Sequence, residues 1–358
     1  MKTAIIHPYI AHYRQDFFEG LNAKLDLDIF CYQNEELHKG NFGESTIHVK
    51  HLKSFSIGPF LFYNPFQIIN KKYDVIILML TFLHITTWIL LLTKPFHKKK
   101  IILWGHGISV KRYIKEEQNL NIVLKWMISL AHRIWFYTKA ELDLWKKRYP
   151  GINAISLNNT ISELDSILVQ HAHQGKEQLK NKYGIKQHKI VIYSARFNEV
   201  GRRIDLLVKA IEMSDVDQIG FIIIGDGKLK PDFSSYKNVY DFGALYERGI
   251  KNELFEIADL YFQPGWVGLS IVEAMAYGKP IFTFKRTAEL MQCVEYSYIQ
   301  DGFNGMIFDT IKDLENTFNT IDDSKIKELG QNARAFVEKE LNMKHMIDSA
   351  YASILSLK

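Results

Sequence analysis

Runs of consecutive apolar residues alternate along this chain with stretches that are apolar at every third or fourth position. Continuous apolar runs suit strands buried on both faces, and the 3.6-residue period suits helices that cover them. In the first part this predicts strands at 3–6, 27–31, 73–79, 100–104, 133–137 and 154–158, and helices at 14–24, 66–71, 82–92, 118–131 and 140–148. A polar stretch from Ser162 to Gln187 reads as a linker, with a helix near 176–183. A second alternating unit follows, with strands at 189–194, 219–224, 238–241, 259–263 and 281–284, and helices at 203–213, 249–257 and 269–277. Residues 325–357 read as mostly helical, with Ser324 as an N-cap. Strand–helix alternation implies α/β architecture with mainly parallel sheets. Two Rossmann-like halves would offer a cleft outside the carboxyl ends of their strands, where ligands bind in such sheets.

Composition changes this picture in two places. The chain has 358 residues, 47% apolar and 24% charged, ordinary for a folded protein of about two domains. Cys31 and Cys293 stand alone, without CxxC or zinc-type spacing, which fits a reduced, cytoplasmic compartment. The apolar part of the first strand (Ala4 to Ile6) is cut off by His7-Pro8, too short for a signal-peptide core. Charge is uneven: residues 1–160 carry 21 Lys+Arg and 12 Asp+Glu, and by subtraction from 45 and 40 the remainder carries 24 and 28. A basic N-terminal half calls for an anionic partner. No nucleic-acid recognition motif is present, so an anionic membrane surface or a phosphate-bearing acceptor fits better. Val75 to Thr93 lacks Asp, Glu, Lys and Arg, but Thr81, His84, Thr86 and Thr87 interrupt it. It reads as a strand and a separate apolar helix rather than a membrane span of about 20 residues. That helix, with Trp88 and the basic end Lys94 to Lys100, suits either a core position or a bilayer interface. The aromatic-rich run from Phe55 to Phe66 has no clean period and is read as local core.

The richest chemistry lies in Gln263-Pro-Gly-Trp-Val-Gly-Leu-Ser-Ile-Val-Glu-Ala-Met-Ala-Tyr-Gly-Lys-Pro280. A strand runs into a glycine loop, Gly265 to Gly268, and then into a helix. The first amides of a helix lack partners within it and its dipole favours negative charge, so this is an anion site suited to a phosphate-bearing sugar derivative. Ser270 is placed to cap the helix or to bond a ligand oxygen, and Glu273, one turn in, to accept from sugar hydroxyls. His106 sits between Gly105 and Gly107 after a strand, where small neighbours let a ligand come close. His7, His12, Tyr13 and Arg14 follow the first strand and are candidates for acceptor contact. No carboxylate cluster suggests a metal, so metal-independent chemistry without a cofactor is expected.

These segments resemble the glycosyltransferases of family 4, whose two-Rossmann-domain architecture is called GT-B. The resemblance is strongest over residues 189–310. It rests on Tyr193-Ser-Ala-Arg-Phe-Asn198 with Arg202-Arg-Ile-Asp-Leu-Leu207, on Ile223-Ile-Gly-Asp-Gly227, on Val239-Tyr-Asp-Phe-Gly243, on the Gly265–Pro280 segment and on Asp301-Gly-Phe-Asn-Gly305. In the N-terminal half it is carried by Trp104-Gly-His-Gly107 and Leu157-Asn-Asn-Thr160. It implies an acceptor domain at 1–165, a nucleotide-sugar domain at 166–339, and a C-terminal helix at 340–358 packing back on the first.

The implied activity is transfer of a sugar from a nucleotide diphosphate sugar, as co-substrate, to a saccharide or lipid-linked hydroxyl. Retention of configuration is implied by the resemblance, whereas the basic N-terminal half and the apolar segment ending in lysines suggest a lipid-linked acceptor at the inner membrane face, in assembly of a surface polysaccharide or glycolipid. The resemblance places Arg196 and Arg202 on the diphosphate. It places Glu273 on the ribose, His106 on the sugar or acceptor, and Glu295 at nucleotide or sugar. Glu295 by itself reads as a solvated loop glutamate. The family carries two glutamates eight positions apart. Glu273 matches the second, and the first falls on Gly265, which puts sugar recognition in question. The amides of Gly268, Leu269 and Ser270 are read as holding part of the donor sugar in place of the missing first glutamate. A nucleotide-sugar 2-epimerase and a non-catalytic nucleotide-sugar-binding protein stay open as alternatives. A dehydrogenase is disfavoured, because no G-x-G-x-x-G follows the first strand of either half.

Overall fold

The computed structural model describes residues 1–33, 47–69, 72–169 and 175–357. The chain forms two compact units, one of Met1–Glu163 with Asn342–Lys358 and one of Leu164–Leu341.

Unit 1 contains the strands β1 (Lys2–His7), β2 (Asp26–Cys31), β3 (Val49–His51), β4 (Ser54–Ile57), β5 (Phe60–Tyr63), β6 (Val75–Met79), β7 (Lys100–Gly105), β8 (Arg133–Phe136) and β9 (Ala154–Ser156). Its helices are α1 (Gln15–Asn22), α2 (Ile85–Leu92), α3 (Lys94–His97), α4 (Tyr113–Gln118), α5 (Ile122–Leu130) and α6 (Lys139–Arg148). A seven-stranded parallel sheet runs β3-β2-β1-β6-β7-β8-β9, and β4 and β5 form a separate antiparallel hairpin. The central strands are buried on both faces, which is why they read as unbroken apolar runs.

Unit 2 begins with α7 (Leu164–Leu168) and α8 (Lys176–Tyr183). Strands β10 (Lys189–Ser194), β11 (Ile219–Ile224), β12 (Val239–Asp241), β13 (Leu260–Phe262), β14 (Ile281–Phe284) and β15 (Gly305–Phe308) follow, with α9 (Ile204–Glu212), α10 (Arg248–Ile257), α11 (Ser270–Ala276), α12 (Ile311–Thr320) and α13 (Asp323–Glu340). Its parallel sheet runs β12-β11-β10-β13-β14-β15, the doubly wound order in which the sequence of strands along the sheet reverses between the first and fourth strands. The last helix, α14 (Met343–Leu355), belongs to unit 1 and packs on α1. Trp135 Nε1 donates to Ser353 Oγ at 2.8 Å, and Lys24 pairs with Asp348 at 3.1 Å.

The structure corrects several expectations. Residues 66–69 form a turn, not a helix: Asn64 Oδ1 accepts from Phe66 N at 3.0 Å, and Ile68 and Ile69 both donate to Pro65 O. The expected helix at 118–131 begins only at Ile122, where Asn121 Oδ1 caps Val123 and Leu124. Ser324 does not cap the long helix; Asp322 does, accepting from Lys325 N at 2.7 Å. Phe55 and Phe66 are not local core but stand in solvent, while Tyr63 turns inward and bonds Thr87. Trp88 points inward too, its Nε1 donating to Phe82 O at 2.9 Å. His171 and His173, in the polar stretch that reads as a linker, lie outside the described residues.

Candidate functional site

In unit 2 the sheet reverses between β10 and β13, and ligand crevices of doubly wound sheets open at the carboxyl ends of such a strand pair. The segments leaving these two ends are Ala195–Arg203 and Gln263–Ser270. Arg202 lies in the 3-10 turn Val200–Arg202, and its Nη1 donates to Trp266 O at 3.2 Å. Its charge also reaches Tyr193 and Tyr261: burial pushes both hydroxyls up in pKa, and Arg202 pulls them partly back. Arg203 takes the left-handed conformation (φ 54°) and commits its guanidinium to Asp205 at 2.7 Å. Of the two adjacent arginines, Arg202 is therefore the one whose guanidinium reaches the glycine loop, while the stem of Arg203 packs against Gly265. Arg196 is exposed just past the end of β10.

The loop itself is held from below by two fully buried glutamines. Gln263 Nε2 donates to Gly265 O (3.2 Å) and Trp266 O (2.8 Å), while its Oε1 accepts from Tyr261 and Ser270 hydroxyls at 2.9 Å each. Gln292 Oε1 accepts from Val267 N at 2.8 Å, and its Nε2 donates to Thr283 Oγ1 and Phe284 O. Ser270 therefore does not cap α11; its hydroxyl proton goes to Gln263. Ile271 N and Val272 N already turn back to Gly268 O and Leu269 O. The amides of Gly268, Leu269 and Ser270 come before these bonds, at the end where a helix has no internal acceptors.

Gly265 is tightly enclosed. A Cβ there would lie 2.4 Å from Gly201 O and 2.9 Å from Arg203 Cγ. Next to it Trp266 adopts φ 52°, and its ring lies against Gly201. The loop at Gly201 thus occupies the space that a side chain at 265 would need. Glu273 pairs with Lys251 of α10 at 2.6 Å, a contact no feature of the sequence signalled. Glu295 is only 5% exposed, contrary to its reading as a solvated loop glutamate. Its segment runs beside the glycine loop, with Trp266 N donating to Met291 O and Cys293 N to Val267 O. The Cys293 thiol is pushed up to about 12 by burial and by Glu295.

In unit 1, His106 follows β7 and lines a pocket of about 270 Å³ at the carboxyl ends of β6 and β7, with Thr81, Ser109 and Tyr137. Its ring meets Tyr137 edge-on at 4.3 Å, and Nδ1 lies 3.9 Å from Glu141 Oε1. Glu141 is itself buried, accepting from Gly107 N at 2.8 Å and from Thr138 N at 3.1 Å. The flanking glycines serve the protein rather than a ligand: a Cβ on Gly107 would lie 2.4 Å from the Phe136 ring. Arg14 is 5% exposed, its guanidinium between the rings of Trp104 (4.9 Å) and Tyr137 (4.8 Å). Burial and then Arg14 hold the His106 imidazole down, to about 4. Its side chain is 43% exposed. The structure thus brings Arg14 beside His106. His12 is exposed, and Tyr13 is half-buried with its carbonyl accepting from Ser162 N. A larger cavity of about 510 Å³ lies at the amino ends of β8 and β9, lined by Ile134, Trp145 and Asn153, and shares no residue with the His106 pocket.

Residues 175–336 match the model of the family described as glycosyl transferases group 1. No curated protein matches the chain. Among solved structures, the chain is similar to HepE of Anabaena, solved in complex with UDP and glucose (15% identity, 99% of each chain covered, TM-score 0.67). It is also similar to sucrose-phosphate synthase of Thermosynechococcus elongatus (15% identity, all of both chains, TM-score 0.69) and to the lipopolysaccharide outer core galactosyltransferase WaaB (15% identity, all of both chains, TM-score 0.65). At these identities the likeness carries the fold, and the fold is GT-B: two parallel-sheet α/β units.

Proposed function

We propose that the protein is a glycosyltransferase that moves a sugar from a nucleotide diphosphate sugar to an acceptor hydroxyl. One observation carries this reading. Arg202, the glycine loop and the Glu273–Lys251 pair gather at the strand reversal of unit 2, within the stretch that matches the glycosyl transferase model. In this reading Arg196 and Arg202 take the diphosphate, with the amides of Gly268, Leu269 and Ser270. Glu273 accepts from the ribose hydroxyls. Lys251 offsets its charge, so that a carboxylate can stand near a diphosphate without repelling it.

Transfer proceeds with retention on the face of the sugar from which the nucleotide leaves. The acceptor oxygen bonds the anomeric carbon as the bond to the diphosphate oxygen breaks, and the hydroxyl proton passes to the departing phosphate. The two arginines then carry the charge that develops on the diphosphate. His106, kept neutral by its low pKa, is assigned to hydrogen bonding of the sugar or acceptor hydroxyl. Glu295 is assigned to the donor. No metal takes part, so turnover should survive EDTA, and inhibition by EDTA would overturn that point.

The deciding experiment is thermal unfolding with UDP, GDP, ADP, dTDP and CMP, on the wild type and on Glu273→Ala. One diphosphate should raise the midpoint by several degrees in the wild type and much less in the variant. No shift with any of the five would remove the donor site and with it the transferase reading.

A further inference from the structure

The apolar side chains that stay in solvent are concentrated in one part of unit 1. Of the 17 large hydrophobic residues exposed among the described residues, 11 fall between Phe55 and Trp126. Helix periodicity explains how they align. In α2, Thr86, Thr87, Leu90 and Leu91 turn to the core, leaving Ile89 and Leu92 outside. Phe96 in α3 continues the line at i, i+3, i+7, and is 86% exposed. In α5, Leu124, Met127 and Ile128 turn inward while Ile122, Val123 and Trp126 turn outward, Trp126 being 60% exposed.

The two stripes belong to one surface. The connections β6→β7 and β7→β8 run in the same direction along the sheet, so right-handed crossovers put α2, α3 and α5 on the same face. There α2 touches α5, and Lys94 of α3 donates to Leu130 O of α5. The hairpin β4–β5 packs on the other flank of α2, where Thr86 Oγ1 accepts from Tyr63 N and donates to Tyr63 O. It adds exposed Phe55, Ile57 and Phe60. Large exposed apolar patches on folded proteins mark interaction surfaces.

The charge around this surface names the partner. Residues 51–130 hold 11 Lys+Arg and 3 Asp+Glu, a net of +8 on a chain whose total is +5. The segment 85–97 contains no acidic residue, and Lys98 and Lys100 at its end are exposed. Among the described residues no helix is long and apolar enough to cross a membrane. Aromatic and aliphatic side chains with exposed lysines at one end, on helices too short to span, are the chemistry of a surface that lies in the headgroup region of an anionic bilayer. We propose that the outer face of α2, α3 and α5, with the β4–β5 hairpin, docks unit 1 on an anionic membrane surface. Leu92, Phe96 and Trp126 insert, and Lys98 and Lys100 contact headgroups. This inference does not depend on the transferase reading.

The test is co-sedimentation with vesicles of phosphatidylglycerol and, separately, phosphatidylcholine. The full chain is compared with Leu92→Ser/Phe96→Ser/Trp126→Ser and with Lys98→Glu/Lys100→Glu. All five positions are exposed, so each variant should melt at the wild-type temperature. The wild type should bind phosphatidylglycerol, with weaker binding as salt rises and little binding to phosphatidylcholine. The apolar variant should lose at least about tenfold in partitioning, and the charge variant should weaken chiefly at low salt. Equal partitioning by the wild type and the apolar variant would overturn the proposal, as would no binding to phosphatidylglycerol at low salt. A concentration-dependent dimer abolished by the apolar variant, without vesicle binding, would assign the face to a second copy of the chain and would also overturn it.

Discussion

Gly265 shows how a single missing side chain is built into its surroundings. The resemblance puts a glutamate there, but the carbonyl of Gly201 lies 2.4 Å from where its Cβ would be. A carbonyl on a loop already tied to Trp266 through Arg202 has little room to retreat. Gly265→Glu should therefore not restore the family pattern. It should cost about 1–3 kcal/mol, as overpacking does, and weaken any nucleoside diphosphate shift. Urea unfolding of the variant checks this, and unchanged stability with tighter nucleotide binding would show that the Gly201 loop yields. Much of the site was legible at this scale, because glycines, Glu273 and the arginines have fixed spacing. Its supports were not. Gln263, Gln292 and Lys251 act through contacts 2 to 28 residues away in sequence, and a glutamine or lysine has no local signature for that role. The helix cap expected of Ser270 fails for the same reason: its hydroxyl donates to a side chain seven residues earlier.

At the scale of elements, long apolar runs were read well because burial on both sheet faces leaves no polar position to confuse them. The strands 189–194, 219–224 and 281–284 fall where the pattern puts them. Short elements escaped: β3 has three residues, and the β4–β5 hairpin carries exposed phenylalanines that imitate a core segment. Helix α12 was overlooked although Thr310 and Asp313 make a capping box readable in the sequence. The start of α13 gives a clean test of capping. Asp322→Ala should cost about 1 kcal/mol, because Lys325 N loses its acceptor, whereas Ser324→Ala should change stability little. Chemical denaturation of the pair decides it. Equal losses would mean that the hydroxyl of Ser324, which donates to Asp322, matters as much as the carboxylate.

At the scale of the whole molecule, the two units should respond differently to acid. His7, His84, His106 and His132 all lie in unit 1, and burial is the leading cause that holds each down, to about 3 for His7 and about 4 for the others. A lowered histidine pKa means that the unfolded chain takes up the proton first. These groups are neutral in both states above about pH 6.5, and their contribution falls as pH drops from there toward 4. Thermal scans from pH 7.5 to 4.5, with probes in each unit, should show unit 1 losing more stability than unit 2. Parallel loss would mean that these histidines titrate as they do in water. The route of the chain has a consequence of its own. Because α14 packs on α1 but follows all 178 residues from Leu164 to Leu341, unit 1 cannot close until all of unit 2 and then α14 have been made. The sequence of unit 2 is complete at Leu341, before α14 begins. The amino-terminal half waits with the surface of α1 uncovered around Gly20, where Ile347 will sit. A chain that stopped at Leu341 would thus leave the earlier-made unit unfinished rather than the later one.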